Sequence, residues 1–243
     1  MKSVTPYLYI IAACLASSCS QEEMVPAAES TGTLVLQVST GSLPQVSTRA
    51  VDADLTVELR NADGSLYKKY LPGQTPDKIL LVAGEAYTVR AYTDNQSDWQ
   101  TANSGKGSAC FFGETTVQVA EDETVYCTYQ VPMTNYAVTL TLPDLFDQLF
   151  KSYSFLLTSS GRTDVVIREG EKAYFEAGTG FTYKLTATNN DQITHSTATV
   201  MHREVESGKC YTLTYYYDTE SNSGGIDIEI KDDMDTEDVE RPL

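Results

Sequence analysis

The strongest constraint in this sequence is a period of two. From Thr33 onward, apolar and polar residues alternate in short runs separated by turn residues. Successive side chains of a strand point to opposite faces, so such a run makes a strand with one wet face and one buried face. Strands of that kind pair into antiparallel layers. The pattern predicts strands at 33–39, 55–60, 66–71, 79–82, 86–93, 114–120 and 124–131, then at 136–142, 154–158, 165–168, 172–176, 181–189, 196–202, 209–218 and 226–230. Asp63-Gly64, between two of these runs, is a tight-hairpin signal because glycine accepts the positive φ such turns demand. Helical spacing is confined to Asp144–Phe150, where Leu145, Phe146, Leu149 and Phe150 suffice for a turn or two. The 16 Tyr and 7 Phe, set among many Thr and Val, also favour strands. The fold class is all-β.

The pattern is used twice. Ala83-Gly84-Glu85-Ala86-Tyr87-Thr88 matches Ala177-Gly178-Thr179-Gly180-Phe181-Thr182. After each turn one face is apolar: Tyr87, Val89 and Ala91 in the first copy, Phe181, Tyr183, Leu185 and Ala187 in the second. Upstream, the turn at Asn61–Gly64 corresponds to Ser159–Gly161; downstream, Cys127 and Cys210 fall in the last strand of each copy. The expected architecture is two tandem antiparallel β-sandwich domains, 33–132 and 133–231, meeting near Pro132–Asn135. One continuous large sandwich is the alternative.

Ahead of the strands, Lys2 and the apolar run Tyr7–Ala16 have the form of a signal peptide, since a bilayer span takes about 20 residues. Leu15-Ala16-Ser17-Ser18-Cys19 resembles a bacterial lipobox. That resemblance implies cleavage of residues 1–18, acylation of Cys19 and attachment to outer-membrane lipid. The alternative is an ordinary secreted protein with a cysteine near its new N-terminus. Ser20-Gln21-Glu22-Glu23 resembles the surface-export signal of Bacteroidales lipoproteins and also opens a solvated tether, 19–32. Residues 232–243 form an acidic, solvating tail.

Charge and residue usage exclude whole classes of function. Thirty-four acidic residues against 17 basic ones give a net charge of −17, which repels phosphate backbones and argues against nucleic acid. Two histidines, His195 and His202, leave little for metal binding or imidazole catalysis; their odd spacing predicts surface positions on opposite faces of a strand. No Gly-x-Ser-x-Gly, His-Glu-x-x-His or phosphate-cradling glycine loop occurs. A Cys210–His202 dyad has nothing to activate its thiol, whereas a carboxylate pair for glycoside hydrolysis stays open. No enzymatic activity, cofactor or metal is expected. With Cys19 acylated, Cys110, Cys127 and Cys210 allow one disulfide at most, and buried thiols are the default. One loop has binding chemistry: Asn95, Asp98 and Trp99 combine an aromatic face with amide and acid groups, as sugar sites do. The same Trp99 serves equally as an anchor for its own loop. Tyr211, Tyr215 and Tyr217 share one face of a late strand and read as core.

Taken with the lipobox, the strand Thr33-Leu34-Val35-Leu36-Gln37-Val38, the Thr48-Arg49-Ala50 step and the doubled β pattern resemble the Bacteroidales fimbrillin-like lipoproteins. The Ala-Gly-x-x-aromatic-Thr turn and the segment from Phe112-Gly113 to Cys127 are most similar to a family of two-unit surface lipoproteins within that group. The resemblance implies transthyretin-like or immunoglobulin-like sandwiches and a lipid-anchored structural or adhesive role at the cell surface. It also implies a cut between Arg49 and Ala50 that releases the first strand, leaving a groove for a strand of another fimbrial subunit. The donor would be Ile226, Ile228 and Ile230, three isoleucines on one face with acids on the other; the last strand of its own domain is the alternative. A surface lipoprotein that binds glycan or protein and never polymerises is the alternative function.

Overall fold

A computed structural model describes residues 29–40, 55–217 and 226–232. Cys19, Arg49 and Ala50 lie outside the described residues.

Among the described residues the first half of the chain contributes seven strands: β1 (Thr31–Thr40), β2 (Thr56–Arg60), β3 (Leu66–Tyr70), β4 (Ile79–Val82), β5 (Ala86–Tyr92), β6 (Phe112–Gln118) and β7 (Thr124–Val131). They make one sheet in the order β4-β1-β7 and another in the order β3-β2-β5-β6. Alternation directs Leu34, Leu36 and Val38 of β1 inward, where they meet Val57 and Leu59 of β2 and Tyr87 and Val89 of β5 in one buried cluster. Both sheets therefore face a shared core.

The second half repeats this plan with β8 (Asn135–Thr141), β9 (Phe150–Ser159), β10 (Val165–Ile167), β11 (Lys172–Glu176), β12 (Phe181–Asn189), β13 (Thr194–Ser196), β14 (Val200–His202), β15 (Cys210–Tyr217) and β16 (Ile226–Asp232). Its sheets run β11-β8-β15-β16 and β10-β9-β12-β13, with β14 also on β12. A separate cluster built on Val138, Leu140, Phe155, Phe175, Phe181 and Leu213 forms its core. Rings dominate that core: Tyr136 packs against Phe175, Phe181 and Tyr211 with centroids 5.7 to 6.0 Å apart.

The registers superpose the halves residue on residue. Leu59 lies opposite Val89 in the first half and Leu157 opposite Tyr183 in the second. Leu34 is flanked by Ile79 and Val125, and Val138 by Ala173 and Tyr211. On this scale Cys127 corresponds to Leu213 and Cys210 to Thr124, so the two cysteines are not equivalent.

Three features depart from the pattern-based expectation. Among the described residues each half contains one parallel pair, β1 with β7 and β8 with β15, among otherwise antiparallel ones. The run 196–202 is two short strands, because the Thr197 hydroxyl accepts from the Leu185 N–H at 3.1 Å and takes a place in the ladder. His202 is not on the surface: it sits opposite Phe181, half-buried, 5.1 Å from the Tyr211 ring and 5.3 Å from the Phe181 ring. Among the described residues helix is limited to α1 (Ala102–Gly105) and α2 (Phe146–Leu149), the latter inside the predicted 144–150. Among the described residues no helix is long and apolar enough to cross a membrane.

Candidate functional site

Two places in this fold depart from simple sheet closure: the long loop between β5 and β6, and the outer edge of β7.

The β5–β6 loop, 93–111, crosses from the first half onto the second. Its shape is set locally. Asn103 and Ser104 take left-handed φ values of 50° and 58°, and Gly105 and Gly107 follow at 83° and 85°. At Gly107 a Cβ would lie 3.1 Å from Arg162 Nη2 and 3.2 Å from the Trp99 carbonyl, so glycine is needed for close approach as well as for its φ. Asn95 ties the base of the loop together, donating to Ser108 Oγ at 2.6 Å and to the Ala109 carbonyl at 3.0 Å. Asn135, buried at the start of β8, accepts from the Cys110 N–H at 3.0 Å and donates to the Ser108 carbonyl at 2.9 Å.

Farther along, the Tyr174 N–H of β11 donates to the Lys106 carbonyl at 2.8 Å, and Lys106 pairs with Glu171 at 2.6 Å. Arg162, on the turn after β9, donates through Nη2 to the carbonyls of Gly105 and Gln100. Its guanidinium lies 4.8 Å from the Phe175 ring and 5.7 Å from the Trp99 ring. Burial lowers the Arg162 pKa, with Tyr136 acting in the opposite direction. The hydrogen bond from Lys106 is the main reason the Glu171 carboxyl is held below its ordinary value. The Cys110 thiol, buried at this junction, is pushed up to about 11 by desolvation and then by the nearby Asp98 charge. That is the opposite of an activated nucleophile.

The three candidate ligand contacts therefore sit differently. Trp99 is half-buried with its ring toward Arg162, Asn95 is committed within the loop, and only Asp98 is exposed. A cleft of about 420 Å³ opens beside the loop base, lined by Thr40, Thr93, Asp94, Asn95, Ala109 and Phe111. Its carboxylate, Asp94, already accepts from the Thr56 hydroxyl at 2.7 Å. Among the described residues no group of three or more His, Cys, Asp or Glu side chains is placed to hold a metal ion.

The β7 edge differs in kind. In the second half, β16 pairs antiparallel with β15, setting Ile230 opposite Leu213 and Ile228 opposite Tyr215. Residues 226–230, the candidate donor strand, thus lie on the edge of their own half. Among the described residues no strand lies on the equivalent edge of β7. The inward side chains register the difference. Tyr211, Leu213 and Tyr215 of β15 are buried, whereas Val125, Cys127 and Tyr129 of β7 are only half-buried. On the outer face Tyr126 is 74% exposed. Sequence patterning marked β7 as a strand, but neighbours in a sheet are not written in alternation, and its open edge went unseen.

A family model described as Domain of unknown function (DUF4493) matches residues 30–242. No curated protein matches the chain. Among solved structures, similar chains include a proposed cell adhesion protein from Bacteroides uniformis, at 12% identity and a TM-score of 0.47 over 82% of this chain and 98% of that one. A fimbrial assembly protein from Parabacteroides distasonis matches at 10% identity and 0.46, over 86% and 96%. A proposed cell adhesion protein from Bacteroides ovatus matches at 18% and 0.42, over 84% and 98%.

Proposed function

The chain belongs to the family described as Domain of unknown function (DUF4493), and we propose that it is a lipid-anchored structural or adhesive component of the cell surface, acting through strand addition and protein contacts without catalysis. In this reading Cys19 carries the acyl anchor and residues 19–32 form the tether until the cut after Arg49 releases the chain, and the two halves, 33–132 and 133–231, act as tandem units.

The position of β1 carries the proposal. It is the central strand of its sheet, held between β4 and β7, and it buries Leu34 and Leu36 completely and Val38 to 3% exposure. Removal of such a strand uncovers a groove with two backbone edges and an apolar floor, which another extended segment fills by the same hydrogen bonds and pockets. A cut between Arg49 and Ala50, just after β1, frees the strand from the rest of the chain. The segment 226–230 of another copy is the proposed replacement, and its isoleucine spacing suits the sites of Leu34, Leu36 and Val38.

The alternative, glycan binding at Asn95, Asp98 and Trp99, has less physical support, because the Asn95 amide and the Trp99 ring already serve the loop.

The test is the N-terminal and intact mass of the protein taken from its native surface. An N-terminus at Ala50, lost in Arg49→Ala together with assembly, is the expected result. Assembly unaffected by Arg49→Ala overturns the strand-exchange reading. An acylated Cys19 still joined to the whole chain makes the protein a resident anchor instead.

A further inference from the structure

We propose that two copies of this chain associate by pairing β7 with β7 in antiparallel fashion about Cys127, joining two three-stranded sheets into one of six. The inference is independent of cleavage at Arg49, since it uses the edge of β7 that faces away from β1.

A bare edge strand is ordinarily protected by charge, proline or a bulge. The stretch Thr124–Tyr129 has none of these: its sequence is Thr-Val-Tyr-Cys-Thr-Tyr, uncharged in a chain of net charge −17. It also lies in regular register with β1 from Thr124 onward. The sister half shows that this topological position accepts an antiparallel strand, because β16 occupies it on β15.

Parity restricts how β7 meets its own copy. Directly opposed residues of an antiparallel pair point to the same face, so Val125, Cys127 and Tyr129 must oppose one another and Tyr126 must oppose Thr128. Centring on Cys127 meets that condition across 125–129. It sets each Val125 against the partner copy's Tyr129, covering the side chains that the open edge leaves half-exposed. The acidic run Glu121-Asp122-Glu123 of each copy then falls at opposite ends of the seam, away from its counterpart. A second copy is favoured over a transferred β16 for a simple reason. Moving β16 onto β7 opens the β15 edge for every edge it closes, whereas β7 with β7 closes two edges and opens none. The pairing is isologous and stops at the dimer.

The register predicts its own reporter. Directly opposed residues have Cα atoms about 4.5–5.5 Å apart, within the range a disulfide spans. With diamide as oxidant, the two Cys127 thiols give up two electrons and two protons to the reagent and form one S–S bond. The experiment is sedimentation of the purified full chain, alongside diamide cross-linking. The expected results are a dimer and a covalent product that Cys127→Ser abolishes and Cys110→Ser leaves unchanged. Tyr126→Lys with Thr128→Lys, both on the exposed face, sets like charges opposite each other and should weaken the dimer at least about tenfold. Tyr126→Lys with Thr128→Glu sets opposite charges in register and should restore it. A chain that sediments as a monomer, or a dimer indifferent to both pairs of substitutions, overturns the proposal. So does a dimer lost on deleting residues 219–243, which would assign the seam to β16. Arg49→Ala should dimerise normally, so failure of the strand-exchange reading and failure of this one are read separately.

Discussion

The two halves of this protein share one strand plan and close it differently. In the second half the last inward strand, β15, lies between β8 and β16, and Tyr211, Leu213 and Tyr215 are buried. In the first half β7 has only β1 beside it among the described residues, and Val125, Cys127 and Tyr129 are half-buried. The fillings differ accordingly. The second core is packed with rings, including Tyr136, Phe155, Phe175 and Phe181; the equivalent positions in the first are Gly32, Val57, Leu81 and Tyr87. At Gly32 a Cβ would stand 2.3 Å from the Ala120 carbonyl, so the first half has no room where the second seats Tyr136. The same topology thus serves as a closed unit rich in buried rings and as an open-edged one whose buried core is aliphatic apart from Tyr87. The open unit is where a partner strand has most to gain.

The largest test of this contrast is a matched pair of truncations. Leu213→Ala removes a fully buried side chain from the closed half and should cost about 2–5 kcal/mol in urea unfolding. Cys127→Ala, at the corresponding place on the open edge, should cost no more than about 1 kcal/mol. Equal costs would mean that the β7 edge is as well covered as β15.

Next comes the link between the halves. Arg162→Ala removes the donor that holds the Gly105 and Gln100 carbonyls and the cation packed against Trp99 and Phe175. A loss of about 1–3 kcal/mol is expected, with amide exchange accelerated across 99–108 and little changed in the sheet cores. Uniform acceleration in both halves would mean that the loop is not a local clasp.

The smallest effect belongs to the outer face of the first half. Glu58 is buried beside Tyr92, Arg60 and Lys69, with the Tyr92 hydroxyl donating at 2.8 Å and Arg60 pairing at 2.6 Å. Burial raises its pKa, but the Tyr92 hydrogen bond and then Arg60 and Lys69 outweigh this and hold it below the ordinary value of 4.5. A lowered folded-state pKa contributes stability above the unfolded value, lost as pH falls through the folded one. Glu58→Gln should therefore cost about 0.5–1 kcal/mol at neutral pH. Below the lowered folded pKa the difference from the parent should disappear in thermal unfolding. A difference that persists in acid would assign the effect to packing. The second half places Leu156 at this position, so no counterpart effect is expected there.

Much of the architecture was legible because alternation is local. Tyr87, Val89 and Ala91 repeat at the interval a half-buried strand requires, and the matching series from Phe181 gave away the second copy. The Asn61–Gly64 and Ser159–Gly161 turns were legible for the same reason, since Gly64 and Gly161 adopt the positive φ expected there. The Trp99 loop was legible only as an alternative between ligand contact and anchor. Its partner Arg162 lies far along the chain, and nothing in either segment names the other.

The sequence by itself determined where strands run, which face of each is apolar, and that the pattern occurs twice, because each follows from residues one or two positions apart. The tertiary structure decided which strands are neighbours: the parallel pairing of β1 with β7, the seat of β16 on β15, the crossing of 93–111 onto the second half, and the edge of β7 that no described strand covers. These depend on backbone hydrogen bonds between segments distant along the chain, and every strand carries the same donors and acceptors whatever its side chains. A period of two specifies which face is buried and leaves open which edge is paired.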